Sequence, residues 1–132
     1  MSEVFVFGSN LQGIHGKGAA KSALLEHGAI FGQGEGRQGQ SYAIPTKATP
    51  YVALTLVAIN TGVARFLDYA EHNPSEEFLV TPIGCGLAGY QPFQIAPMFA
   101  LVRFLDNVQL PPEFLDYLPN NPELLTNLNC FN

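Results

Sequence analysis

Charge is scarce in this chain: 13% of its 132 residues are charged, against 47% apolar. So uncharged a surface leaves room for an apolar patch or a partner contact. Cysteine is scarcer still. Cys85 and Cys130 are the two present, too few for a disulfide-stapled secreted scaffold, which points to a reducing, cytoplasmic setting. No apolar run reaches the roughly 18 residues of a membrane span, and Met1-Ser2-Glu3 does not read as a signal peptide. No membrane partner is expected. The three histidines, His15, His27 and His72, stand far apart and join no cysteine cluster, so no metal is expected. The Walker spacing, the dinucleotide fingerprint and the Gly-x-Ser-x-Gly elbow are also missing, and no cofactor is expected.

What is present fits one domain over residues 1–132, with a core over about 3–108 and a helical tail from 109. The net charge of −5 argues against nonspecific nucleic-acid binding. The charge is uneven, however. Up to Lys47 there are four basic residues and three acidic ones; beyond it, two basic and eight acidic. Positive charge therefore gathers where glycine does, as expected for a small anion held locally. Nothing in the sequence sets the oligomeric state.

The stretch Phe7-Gly8-Ser9-Asn10-Leu11-Gln12-Gly13-Ile14-His15-Gly16-Lys17-Gly18-Ala19-Ala20-Lys21 reads as a strand end, a Gly-rich loop and a helix start. Glycine lets a ligand approach the main chain closely. The helix presents unpaired N–H groups and the positive end of its dipole. Such a loop is suited to an anion, most often phosphate. The plainer alternative is a strand-to-helix turn that holds nothing. A second Gly-rich loop, Gly84-Cys85-Gly86-Leu87-Ala88-Gly89-Tyr90, weighs against it.

Around these loops the chain alternates. Glu3–Phe7 suits a buried parallel strand. A helix is expected from Gly16 or Lys17 to Glu26, stopped by His27-Gly28. Ala29–Gln40 is turn-rich, an irregular surface connection or a loop over the ligand, with Arg37 as a candidate anion contact. Ser41–Thr46 reads as a second strand with Pro45 near its end. Thr49-Pro50 offers a capping hydroxyl and a proline at the first helical position. Val52, Leu56, Ile59, Val63, Phe66, Leu67 and Ala70 then keep a helical period, so a helix is expected over Pro50–Glu71. Glu77–Ile83 is a third strand. Phe93–Asp106 reads as a helix with Pro97 in its first turn, and Glu113–Leu118 and Glu123–Leu128 as short ones. Helices between strands require parallel neighbours with right-handed crossovers. The expected class is α/β, a small, mostly parallel sheet flanked by helices. Its strand-end loops, Gly8–Gly18, Pro45-Thr46-Lys47 and Gly84–Tyr90, should meet at one rim, where ligands of such folds bind.

Lys47 projects from that rim. It can neutralise phosphate or serve acid–base or covalent chemistry; the alternative is a solvated surface lysine. Asn10 can hydrogen-bond a ribose hydroxyl or cap its own turn. His15 is an acid–base candidate or points into solvent. The ligand-binding candidates are Gly8, Ser9, Gly13, Gly16, Lys17 and Gly18 in the first loop, with Pro45 and Thr46 in the second. In the third they are Gly84, Cys85, Gly86, Leu87, Ala88, Gly89 and Tyr90. No basic partner accompanies Cys85, which reads as packing or ligand lining rather than a nucleophile. Leu87 and Tyr90 can wall a pocket, or Tyr90 can be a surface ring.

With these motifs in order, the chain resembles the macro domain family of ADP-ribose-binding modules, and within it the branch of DNA ADP-ribosylglycohydrolase antitoxins. Asn10, Gly13, Gly16, Gly18 and Ala20 match Asn-x-x-Gly-x-x-Gly-x-Gly-x-Ala. Pro45, Thr46 and Lys47 match Pro-Thr-Lys. Gly84, Cys85, Gly86, Leu87 and Gly89 match Gly-Cys-Gly-Leu-x-Gly. The resemblance covers about residues 4–105. It implies a three-layer α/β/α fold with a diphosphate between the first and last loops, Asn10 on the distal ribose, and Lys47 as the lysine on which hydrolysis depends. Ala88 stands where another macro branch carries an aspartate, so that branch's mechanism is not expected. The chain looks like a short variant without the usual opening strands, and Glu3 is a poor substitute for the family's adenine-binding aspartate.

Three functions remain open on the sequence. The first is an ADP-ribose or related nucleotide pocket that hydrolyses an ADP-ribosyl linkage, with a small nucleotide or an ADP-ribosylated macromolecule as partner. The second is a non-catalytic module that sequesters such a nucleotide. The third is an interaction protein with a vestigial pocket.

Overall fold

The computed structural model describes residues 2–118. The expected helix over Glu123–Leu128 lies outside the described residues. Strand β1 (Glu3–Asn10) is followed by helix α1 (Gly18–Glu26), then β2 (Gly36–Gln38), β3 (Ser41–Thr49), β4 (Val52–Ala53) and helix α2 (Leu56–Glu71). Strand β5 (Glu77–Val80), helix α3 (Pro92–Ile95), a 3-10 helix over Ala96–Phe104, β6 (Val108–Gln109) and helix α4 (Pro112–Leu115) complete the order. The strands form one sheet in the order β2-β3-β1-β5-β6, with β4 also paired to β3. β1 runs parallel to β3 and β5, and β5 to β6; β2 and β4 are antiparallel to β3.

The crossover rule explains the layering. From β1 the chain moves to one side, through α1, to reach β3; from β3 it crosses back, through α2, to reach β5. Two right-handed crossovers in opposite directions put their helices on opposite faces. The side chains of β1 agree. Val4 and Val6 join a core with Ile59, Val63 and Phe66 of α2, whereas Phe7 joins a smaller one with Ala20 and Ala23 of α1. Apolar residues on both faces mark β1 as a central strand.

Several expected boundaries are corrected. The helix expected from Pro50 begins at Leu56, because Val52 and Ala53 pair back onto Thr49 and Lys47 as a hairpin. The true cap is Thr55, whose hydroxyl accepts from the Ala58 amide at 3.2 Å. The helix expected over Phe93–Asp106 is instead one turn of α-helix and a 3-10 stretch bent at Phe99 (φ −96°, ψ 16°). Pro97 has no N–H to give the Phe93 carbonyl, and the α pattern yields to 3-10 at Ala96, just before it. The turn-rich segment after α1 contains strand β2, and the core runs past residue 108 to the buried Leu110 and Phe114. Arg37, the candidate anion contact, is engaged within the fold: its guanidinium donates to Glu76 at 2.8 Å, to the Tyr69 hydroxyl at 3.1 Å and to Gln40 at 2.7 Å.

Candidate functional site

The three strand-end loops meet. A cavity of about 830 Å³ opens beyond the carboxyl ends of β1, β3 and β5. Gly16 and Gly86, far apart in sequence, both line it, as do Gly8, Ser9 and Asn10 from β1 and Thr46 and Lys47 from β3. Lys17, Gly18, Leu87 and Ala88 are there too. The reversal of strand order at β1 leaves a crevice on this edge.

Two backbone stretches of the lining carry amides without a partner in the fold. The first turn of α1 supplies Gly18, Ala19 and Ala20 to the wall, and the cap position, Lys17, makes no side-chain bond to it. Its first amides thus have no capping side chain. In the third loop, the amides of Gly86, Leu87 and Ala88 donate to no backbone carbonyl among the described residues. A Cβ at Gly16 or Gly86 would have no atom within 4 Å, so the missing side chains leave that space open. The charged residues of the lining are Lys17 and Lys47; among the described residues no carboxylate lines the cavity. Phosphate fits such a wall.

A shift in register sets the Lys47 row. Ser9 pairs with Pro45, but Asn10 pairs with Lys47, so Thr46 is left over as a bulge. Buried Thr46 donates to the Ser9 carbonyl at 3.3 Å, and Leu11 N donates to the Lys47 carbonyl at 2.9 Å. Pro45 sits between the reach of β2 and that of β4, where its missing N–H has no strand to serve. Lys47 is half-buried and forms no salt bridge among the described residues.

Asn10 closes its own loop, giving one hydrogen from Nδ2 to the Ile14 carbonyl (2.8 Å) and accepting from Ile14 N at Oδ1 (3.1 Å). An amide has a second hydrogen and a second lone pair, so a contact with ligand stays open on the cavity side. The loop's shape depends on backbone packed against it. Gly13 has φ +71°, and a Cβ there would lie 2.3 Å from the Gly32 carbonyl carbon. A Cβ on Gly34 would lie 2.5 Å from the Asn10 carbonyl oxygen, and the Ser9 hydroxyl donates to the Gly34 carbonyl.

Several candidates stand elsewhere. His15 neither lines the cavity nor faces solvent: it is 1% exposed, packs edge-on against Phe7, and places Nε2 3.1 Å from the Gln33 carbonyl. Gly13 supports the loop from behind. Pro45, Cys85, Gly89 and Tyr90 are outside the lining, although Tyr90 donates its hydroxyl to the Leu54 carbonyl and so ties the third loop to the hairpin. Burial, then the charge of Glu113, pushes the Cys85 thiol up, away from the thiolate a nucleophile needs. Sequence reasoning missed Gln12, Ile14, Ala19, Ala20, Thr49, Pro50, Tyr51, Thr81, Pro82 and Ile83 in the lining. Thr49-Pro50-Tyr51 was hidden because its Thr-Pro pair also reads as a helix start.

No family model and no curated protein matches the sequence. Among solved structures, Thermosipho africanus DarTG in complex with ADP-ribose matches 94% of this chain with a TM-score of 0.62 and 18% identity. The matched region spans 40% of that protein's chain. The likeness shows the fold: this chain is macro-domain-like, a three-layer α/β domain with a mostly parallel sheet. Among the described residues, no helix is long and apolar enough to cross a membrane.

Proposed function

We propose that this chain binds ADP-ribose or a related NAD-derived nucleotide in the cavity and hydrolyses an ADP-ribosyl linkage there. The carrying observation is that two backbone stretches, Gly16–Ala20 and Gly86–Ala88, line one cavity whose charged groups are Lys17 and Lys47, and that the Gly86–Ala88 amides donate to no backbone carbonyl among the described residues. A diphosphate is the anion that would bridge such stretches. The solved neighbour of the same fold carries ADP-ribose, which supports this choice of ligand.

In this reading the ribose beyond the diphosphate lies by the adjacent row of Asn10 and Lys47. Asn10 orients the sugar hydroxyls, and Lys47 supplies the acid–base or covalent chemistry at the anomeric carbon. His15 supports the loop from within the core. The substrate is a free nucleotide or an ADP-ribosylated macromolecule.

Calorimetric titration with ADP-ribose, followed by turnover assays on ADP-ribosylated DNA, ADP-ribosylated protein and an ADP-ribose phosphate ester, tests both halves. Lys47→Ala should abolish turnover and leave most of the affinity. Binding without turnover of any of the three would make the chain a sequestering module. Absence of binding to any adenine nucleotide would end the nucleotide reading.

A further inference from the structure

We propose that Tyr51, at the tip of the β3–β4 hairpin, lays the face of its ring against the terminal ribose of the bound nucleotide and acts as a substrate-positioning residue. This rests on the nucleotide reading above. Tyr51 is 93% exposed and yet belongs to the cavity lining. It is therefore a ring at the mouth, uncovered until a ligand arrives. Covering an apolar ring face is favourable, and the C–H face of a sugar suits it while leaving the hydroxyls free.

The ring is carried on an anchored hairpin. Tyr51 N donates to Thr49 Oγ1 at 3.1 Å, and Leu54 N donates to the Thr46 carbonyl at 2.9 Å. Thr49 pairs with Val52 and Lys47 with Ala53 across the two strands. The Tyr90 hydroxyl clamps the Leu54 carbonyl from the third loop. The tip is thus held relative to Lys47, and binding against it would need little further ordering. The same ladder places Tyr51 on the hairpin that carries Lys47, the side of the site to which the nucleotide reading assigns the sugar. The sugar is then bounded by three groups: Asn10 on its hydroxyls, Lys47 at its reacting carbon, and Tyr51 over its apolar face.

The test is calorimetric titration of the wild type, Tyr51→Ala and Tyr51→Phe with ADP-ribose and with ADP, which lacks the terminal ribose. Tyr51→Ala should weaken ADP-ribose about tenfold and leave ADP within about twofold, while Tyr51→Phe keeps both within about twofold. Both variants should melt with the wild type, because so exposed a side chain supports no core. An equal loss for ADP and ADP-ribose would move the ring to the adenosine half and overturn the proposal. So would no loss at all, or a loss in Tyr51→Phe as large as in Tyr51→Ala. Wild-type protein that binds neither ligand would instead sink the nucleotide reading, and this proposal with it.

Discussion

The two faces of the sheet are packed by different means. On the α2 face the core is apolar and aromatic: Phe66 meets Tyr42, Phe78 and Phe99 with ring centroids 5.1, 5.5 and 6.4 Å apart. On the α1 face the buried apolar residues are Phe7 and the alanines Ala20, Ala23, Ala29 and Ala43. Half-buried Phe5 and Ala19 pack against them, and beside these the face carries polar groups and bare backbone. Buried Gln38 accepts from Ile30 N at 2.8 Å, His15 is enclosed, and Gly13 and Gly34 let two chain segments cross in contact. Large side chains on one face hold the domain together. Small ones on the other let helix α1 and the first loop come close enough to the sheet to form the cavity wall. The first face should fail when something is removed, the second when something is added.

Phe66→Ala tests the aromatic face and should have the largest effect. Removing a fully buried ring leaves a cavity and costs about 3–5 kcal/mol, read as a lower urea midpoint. Nucleotide affinity per folded molecule should be unchanged, since Phe66 is outside the cavity lining.

Gly13→Ala adds one methyl to the other face. That Cβ would meet Gly32 and Gln33 backbone at 2.3 and 2.4 Å, at a φ of +71° that disfavours alanine. Strain of about 1–3 kcal/mol is expected, smaller than for Phe66→Ala. The loop must move to relieve it, so ADP-ribose affinity should fall by more than about tenfold. A Gly13→Ala protein that binds as tightly as wild type would show that the contact behind the loop does not shape the site.

The smallest effect belongs to the ion pair at the sheet's β2 edge. The hydrogen bond from Arg37, then its charge, holds the Glu76 carboxyl below its ordinary value of 4.5. A lowered carboxylate stabilises the fold in full above that ordinary value, and the contribution disappears as pH falls through the folded value. Glu76→Gln should cost about 1 kcal/mol at neutral pH. The gap to wild type should close below about pH 4.5, measured by denaturation across the acid limb. A gap that stayed constant with pH would assign the loss to packing.

How far the sequence could be read depended on the range of the signal. Gly16 and Gly18 mark one loop and Gly84 and Gly86 the other through local composition, and the alternation of strands with helices implied that the loops share a rim. The hairpin at Val52-Ala53 was illegible because Val52 also falls in register with the helical period of Leu56, Ile59 and Val63. Thr49-Pro50 and Thr55 are competing local cap signals. Pairing of Val52 with Thr49 selects Thr55, and that pairing exists only once β3 is in the sheet. Tyr51 was missed for the same reason. His15 was misplaced because a polar residue in a Gly-rich loop has no local mark of burial; its enclosure by Phe7, Gln33 and Gln38 comes from other segments.

By itself the sequence determined the α/β class, the three glycine-marked strand ends and the placing of cation near them, because periodicity, turn chemistry and charge are written in neighbouring residues. Only the tertiary structure decided which of those residues face the cavity: Lys47 and Asn10 within it, His15 behind it, Tyr51 at its mouth. Side-chain direction there follows from a strand bulge, a hairpin and a backbone crossing. Each of these is a contact between distant segments that no local pattern encodes.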